Sequence, residues 1–183
     1  MGAMSVTLLN EWQNFYVIVG SAAGGLTGLQ FVVMALIADA PAIEHQSQAI
    51  TVFSTPTIVN FGVVLLLAAV LEMPWHSIRA VSIVWGVVGV VGILYTAIIG
   101  WRINKQRAYS PEFEDYLYRV ILPMIGYAAL GAAAFVAKNH DRAALFQVAA
   151  VALMLLFIGI HDAWDNATYL ISYKRGEVKS TPR

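Results

Sequence analysis

The residues best suited to chemistry lie near the end of the last apolar segment. They are His161, Asp162, Asp165 and Asn166. In an α-helix, residues four apart share a face, so His161 pairs with Asp165 and Asp162 with Asn166. An imidazole and a carboxylate one turn apart could ligate a metal, relay protons or bind a cation. Inside a bilayer such groups must be paired, face the bundle or line water. The alternative is that the helix has left the bilayer here and the stretch is wet.

Three residues of the link after the first apolar segment could complete this cluster. They are Asp39, Glu44 and His45, and topology places them on the same predicted side of the membrane as His161. The four histidines divide two and two across that membrane, as two bis-histidine haems would require. Most of them lie in or beside loops, whereas haem ligands normally sit on rigid helices. Any metal or haem cofactor is therefore unassigned by the sequence.

Two amide side chains, Gln30 and Asn60, fall well inside predicted membrane spans. A buried amide in lipid needs a hydrogen-bond partner, so both are expected to face the bundle interior. If the first two helices are neighbours, the two amides could bond to each other. They are interpreted either as a structural interhelical contact or as part of a solute or pore lining.

Small residues on the first and third helices predict close helix packing. Gly20, Gly24 and Gly28 recur every four residues and form a groove that another backbone can approach. The groove either packs within the chain or joins subunits. A second set spaced by three marks another close-packed surface less specifically; it consists of Gly86, Gly89 and Gly92.

These residues must be positioned by membrane-spanning helices. Of the 183 residues, 59% are hydrophobic and only 12% are charged, so a water-soluble fold could not bury the apolar surface. Five segments are long enough to cross the bilayer, and backbone groups in lipid must be paired within each segment. The sequence therefore predicts a single all-α domain over residues 1–183, a bundle of five transmembrane helices. The predicted helices span about 11–38, 49–71, 78–101, 116–137 and 142–173. A four-span bundle with the first segment lying in the interface is the weaker alternative.

The basic residues predict an orientation. With five spans and the N-terminus outside, eight Lys and Arg fall on the inner side and three on the outer side. Cytoplasmic loops are enriched in basic residues, so the N-terminus is expected outside and the C-terminus inside. Tryptophans and tyrosines cluster near the predicted helix ends, as in an aromatic belt.

The stretch Gly20–Val33, with its small-residue run followed by Leu-Thr-Gly-Leu, resembles the first helix of small, uncharacterised bacterial multi-pass membrane proteins. The resemblance implies a multi-pass protein of the bacterial inner membrane. It implies no activity and carries no functional residue with it.

Several function classes are disfavoured by what the sequence lacks. There are no cysteines, so disulfides and thiolate sites are excluded, and no basic stripe suggests nucleic acid as a partner. No common enzyme motif is present, so the chain leans away from being an enzyme. Three hypotheses stay open. The favoured one is a homo-oligomeric channel or transporter for an ion or small solute. The others are a non-catalytic scaffold that binds another membrane protein and a metal- or haem-binding membrane enzyme.

Overall fold

The structure is a computed structural model that describes residues 2–38, 46–105 and 116–180, with side chains for residues 8–35, 55–104, 116–165, 167 and 168. All of its regular structure is helical. The helices are α1 (Gly2–Ala38), α2 (Gln46–Glu72), α3 (Ile78–Lys105), α4 (Leu122–Val136) and α5 (Asp141–Ser180), with a π-helical turn, Leu117–Ile121, leading directly into α4.

Five stretches of the described chain are long and apolar enough to cross a membrane. They are Leu8–Ala35, Thr55–Glu72, Ile78–Asn104, Leu117–Val136 and Asp141–Asp165. The predicted all-helical architecture with five apolar spans is therefore confirmed. Four helices extend beyond the predicted segments, most of all α1, which begins at Gly2, and α5, which continues to Ser180. Helix α4 with its π-helical turn lies within the predicted segment 116–137.

The bundle has two central helices and three peripheral ones. The most apolar windows of α2 and α5 are 50% and 56% buried, against 22% for α1, 28% for α3 and 33% for α4. Helix α5 packs against α1, α2 and α4, whereas α3 packs chiefly against α4. The outer face of α3 exposes aliphatic side chains, as expected of a surface solvated by lipid. These are Ile83, Val87, Val90, Val91, Leu94 and Ile98, each at least half exposed.

Side-chain contacts define the two ends of the bundle. At one end, which we call the Glu11 end, Nη2 of Arg142 at the start of α5 lies 3.5 Å from Oε2 of Glu11 on α1. At the opposite end, which we call the Tyr118 end, the ring of Tyr118 stacks on His161 of α5. The short links α2–α3 and α4–α5 both lie at the Glu11 end, so those neighbouring helices run antiparallel.

The closest helix–helix approach lies between α3 and α4. A Cβ placed on Gly89 would lie 2.6 Å from the backbone nitrogen of Gly131, and one on Gly92 would overlap the ring of Tyr127. Only glycine permits such an approach, because any side chain would push the two backbones apart. The three-residue spacing of the α3 glycines thus marks the tightest interface in the described bundle.

The π-helical turn before α4 has a cause in the sequence. Pro123 follows the turn, and proline lacks the N–H that would otherwise bond to the carbonyl four residues earlier. The backbone N–H of Leu122 bonds to the carbonyl of Leu117, five residues back, so the helix widens before the proline. Wide turns of this kind are frequent at functional sites.

Candidate functional site

The principal candidate site is at the Tyr118 end, on one face of α5. His161 Nδ1 lies 3.4 Å from Asp165 Oδ2, within ion-pair distance, as the four-residue spacing predicts. The His161 side chain is 29% exposed and that of Asp165 is 50% exposed. The pair therefore lies at the border of the bundle, where an ion or water can reach it.

Tyr118 fixes the histidine ring. Its ring lies parallel to the imidazole, with 3.7 Å between the centroids and 3° between the planes. The stacking limits rotation of the imidazole about its side-chain bonds, so the ring edge stays directed along α5 toward Asp165. From the sequence, Tyr118 is only one of the aromatic residues expected near a helix end. Pro123 is the signal that could have marked the turn bearing it as irregular.

Asp162 is the most deeply placed carboxylate at this end, with only 3% of the residue exposed. It lies next to His161 in the chain, and both side chains take part in further interactions within the protein. A carboxylate this buried at the end of an apolar helix is costly unless it is held by other groups. Its presence makes the Tyr118 end chemically distinct from the apolar bundle beside it.

Four of the predicted site residues cannot be placed around this cluster. Asp39, Glu44 and His45 lie outside the described residues, and so does the side chain of Asn166. Among the residues that are described, no group of three or more His, Cys, Asp or Glu side chains could hold a metal ion. The located members of the candidate site are thus His161, Asp162 and Asp165.

The two membrane amides are both buried, Gln30 with 6% and Asn60 with 3% of the residue exposed. Among the described side chains, no hydrogen bond joins them. The hydroxyl of Tyr127 on α4 instead donates to Asn60 Oδ1 at 3.3 Å. Asn60 thus bonds across the α2–α4 contact, a partnership that sequence spacing could not indicate, because it depends on which helices are neighbours.

The α1 glycines divide between two surroundings. A Cβ on Gly20 would lie 2.8 Å from Ala68 Cβ on α2, and one on Gly24 would lie 4.0 Å from Leu65 Cδ1. A Cβ on Gly28 would meet nothing within 4 Å. Four residues advance about 400° around a helix, so each step rotates the glycine by about 40°. The groove therefore faces α2 at Gly20 and turns outward by Gly28.

Comparison with known proteins adds no family to this description. The chain matches no protein-family model, no curated protein and no solved structure.

Proposed function

We propose that this protein is a homo-oligomeric membrane transporter or channel for a small cation, protons included, with its cation site at the Tyr118 end. The observation that carries the proposal is the grouping of buried Asp162 with the Tyr118-stacked His161–Asp165 pair. Ionisable residues within membrane-spanning helices are rare, and they mark ion pathways and proton relays.

Two neighbouring carboxylates support a cation as the transported ion. Asp162 and Asp165 lie on adjacent turns of α5. The imidazole of His161 can accept or release a proton between them. Two arginines lie at the same end of the bundle, Arg119 in the π-helical turn and Arg102 near the end of α3, where Asn104 contacts Tyr116. Asp162 lies about 32 Å along the helix from Asp141, which is close to the thickness of the hydrocarbon core. This spacing supports a position for the site near a membrane boundary, where an ion exchanges with water.

A path through one chain is disfavoured by its packing. Large side chains fill the described centre of the bundle, with Phe61, Trp85 and Tyr127 each at most 1% exposed. We therefore place the path between copies of the chain. The surface for their association is the small-residue stripe of α1, formed by Ser21, Gly25 and Gly28, all exposed. Packing against such a stripe is a main force between helices in lipid.

The orientation forms part of the proposal. With the Glu11 end outside and the Tyr118 end inside a bacterial inner membrane, the basic residues concentrate on the cytoplasmic side. Because the chain has no cysteine, single cysteines can report it. Asn139→Cys at the Glu11 end should react with an impermeant maleimide in intact cells, and Asn104→Cys should react only after lysis. The reverse pattern would overturn the orientation.

Reconstituted flux tests the transport function. Liposomes containing the purified protein should dissipate an imposed proton, sodium or potassium gradient. Asp162→Asn and His161→Ala should each reduce that flux at least about tenfold, a loss smaller than the roughly 10²–10⁴-fold typical of proton-transfer groups in enzymes. Thr168→Val is the matched control, since Thr168 is exposed and bonds only to carbonyls of its own helix. Absence of flux from folded, correctly assembled protein would contradict the proposal.

The state of association tests the subunit interface separately. Gly25→Leu adds a large side chain where a Cβ meets nothing within 4 Å of the same chain. It should leave the monomer folded and shift a homo-oligomer toward smaller species in native mass spectrometry. If the wild-type chain is monomeric and Gly25→Leu instead releases a different co-purifying membrane protein, the scaffold function replaces transport.

A further inference from the structure

A cavity lies at the Glu11 end, opposite the proposed cation site and independent of it. It is a cleft of about 390 Å³ between α1 and the link from α2 to α3. Its polar lining includes the side chains of Asn10, Gln13, Glu72 and His76, and Leu71 and Trp75 belong to its apolar part. A volume near 400 Å³ is within the range of sites for small organic molecules.

Glu72 gives the cleft a negative centre. Its Oε1 atom is buried and has no hydrogen-bond partner. Glu72 is also the last residue of α2, where the helix dipole is negative, and the last turn of that helix contains no basic residue. Within the described chain, no donor satisfies this carboxylate oxygen. No Lys or Arg is among the residues lining the cleft, so a bound cation would supply the missing partner.

Trp75 contributes an aromatic ring to the lining of the same cleft. Its indole N–H donates a hydrogen bond to the carbonyl of Val70 in the last turn of α2, which holds the ring in place. Indole rings attract ammonium groups through cation–π interaction. Leu71 is the aliphatic residue of α2 that lines the cleft next to Glu72. The cleft thus joins a carboxylate, an indole and an aliphatic wall.

We propose that this cleft binds a small organic cation, an alkylammonium group held by the Glu72 carboxylate with its carbon substituents against Trp75 and Leu71. A bare metal ion fits less well, because only Glu72 and His76 among the lining residues are good metal ligands, and protein sites for transition metals use three or four. The same ammonium chemistry is carried by free amines and by the headgroups of zwitterionic lipids.

Choline and its neutral isostere 3,3-dimethyl-1-butanol test the proposal directly. The two differ in charge and hardly in shape. With purified protein in an uncharged maltoside detergent, calorimetry or saturation-transfer NMR should show saturable binding of choline and none of the alcohol. Equal binding of both compounds, or of neither, would overturn the proposal, and so would displacement of choline by millimolar zinc chloride.

The Glu72→Gln variant keeps the shape of the cleft and removes its charge. It should weaken choline binding at least about tenfold, as expected for loss of a charge-assisted contact. Glu11→Gln is the matched control: it removes the same charge from the same end of the bundle, at a side chain that pairs with Arg142 and does not line the cleft. If both variants weakened choline binding equally, general surface charge would explain the effect, and the proposed site would be overturned.

A third variant covers the case in which Glu72→Gln does not fold. Trp75→Leu should also weaken choline binding, and binding that is unchanged in Trp75→Leu would contradict the proposed aromatic wall.

Short-chain phosphatidylcholine and phosphatidylglycerol then distinguish the source of the ammonium group. Tighter binding of the phosphatidylcholine than of free choline assigns the cleft to a lipid headgroup. Equal or weaker binding assigns it to a soluble amine.

Discussion

The glycines of α1 and those of α3 form two helix surfaces that differ in how closely another helix packs against them. Gly20, Gly24 and Gly28 recur at the four-residue spacing associated with helix association, yet they contact less of the chain as the helix proceeds. On α3, Gly89 and Gly92 are spaced by three and meet the backbone of Gly131 and the ring of Tyr127 directly. Glycine spacing therefore indicates which helix face lacks side chains. How closely another helix packs on that face depends on the arrangement of the bundle.

The largest loss of stability is expected at the α3–α4 contact. Gly89→Leu would place a side chain against the backbone of Gly131, so the two helices would have to separate. We expect a loss of roughly 3 kcal/mol, the upper end of overpacking costs, together with aggregation in detergent. Thermal unfolding followed by size-exclusion chromatography measures it. A folded, monodisperse Gly89→Leu protein would show that the contact is looser than described.

A smaller loss is expected where α1 meets α2. Gly20→Ala brings a methyl group to 2.8 Å from Ala68 Cβ, and we expect a loss of roughly 1–2 kcal/mol. Ala68→Gly in the same chain should restore part of it, because the two methyl groups compete for one space. A double-mutant cycle on thermal stability measures the coupling. Strictly additive effects would mean that the two positions do not touch.

The hydrogen bond between Tyr127 of α4 and Asn60 of α2 should contribute less to stability than the glycine contacts. Tyr127→Phe removes the hydroxyl that donates to Asn60 and leaves the ring against Gly92 in place. We expect a loss of about 1 kcal/mol or less, typical of hydrogen bonds between membrane helices. Thermal stability of Tyr127→Phe compared with Asn60→Leu checks it. A loss as large as that of Gly89→Leu would mean that this one bond between α4 and α2 stabilises the bundle as much as the α3–α4 contact does.

The smallest effect on the fold of the single chain is expected at Gly28. A Cβ there meets nothing within 4 Å, and alanine favours the helix by up to about 1 kcal/mol over glycine. Gly28→Ala should therefore leave the thermal stability of the dissociated, monomeric chain unchanged or raise it slightly. A loss in the monomer comparable to that of Gly20→Ala would contradict the open surroundings of Gly28, whereas a loss confined to the assembled protein would support the proposed subunit contact.

The fold could be predicted because its main determinant is local. Long apolar segments in lipid must be helical, and Pro74 and the polar links separate one segment from the next. The arrangement of the helices could not be predicted in the same way. The Tyr127–Asn60 hydrogen bond joins residues far apart in the chain and depends on α4 lying beside α2.

Of the candidate site, too, only the contact along one helix could be predicted. The His161–Asp165 contact follows from the helical repeat and was predictable from spacing alone. The stacking of Tyr118 on His161 was not, because it requires α4 to pass beside α5 at one particular depth and rotation. Contacts along one helix are encoded by sequence distance, whereas contacts between helices depend on the whole bundle.

The π-helical turn before Pro123 makes the position of Tyr118 depend on the number of residues in the turn. A bond that reaches back five residues accommodates one residue more than an α-helical bond, so Tyr118 is rotated by about 100° from where an uninterrupted helix would carry it. Deleting one residue between Leu117 and Ile121 would close the turn to ordinary geometry and swing the tyrosine away from the imidazole. The pairing of aromatic ring and histidine is thus set by a count of residues, and a single codon lost or gained in this turn would undo it.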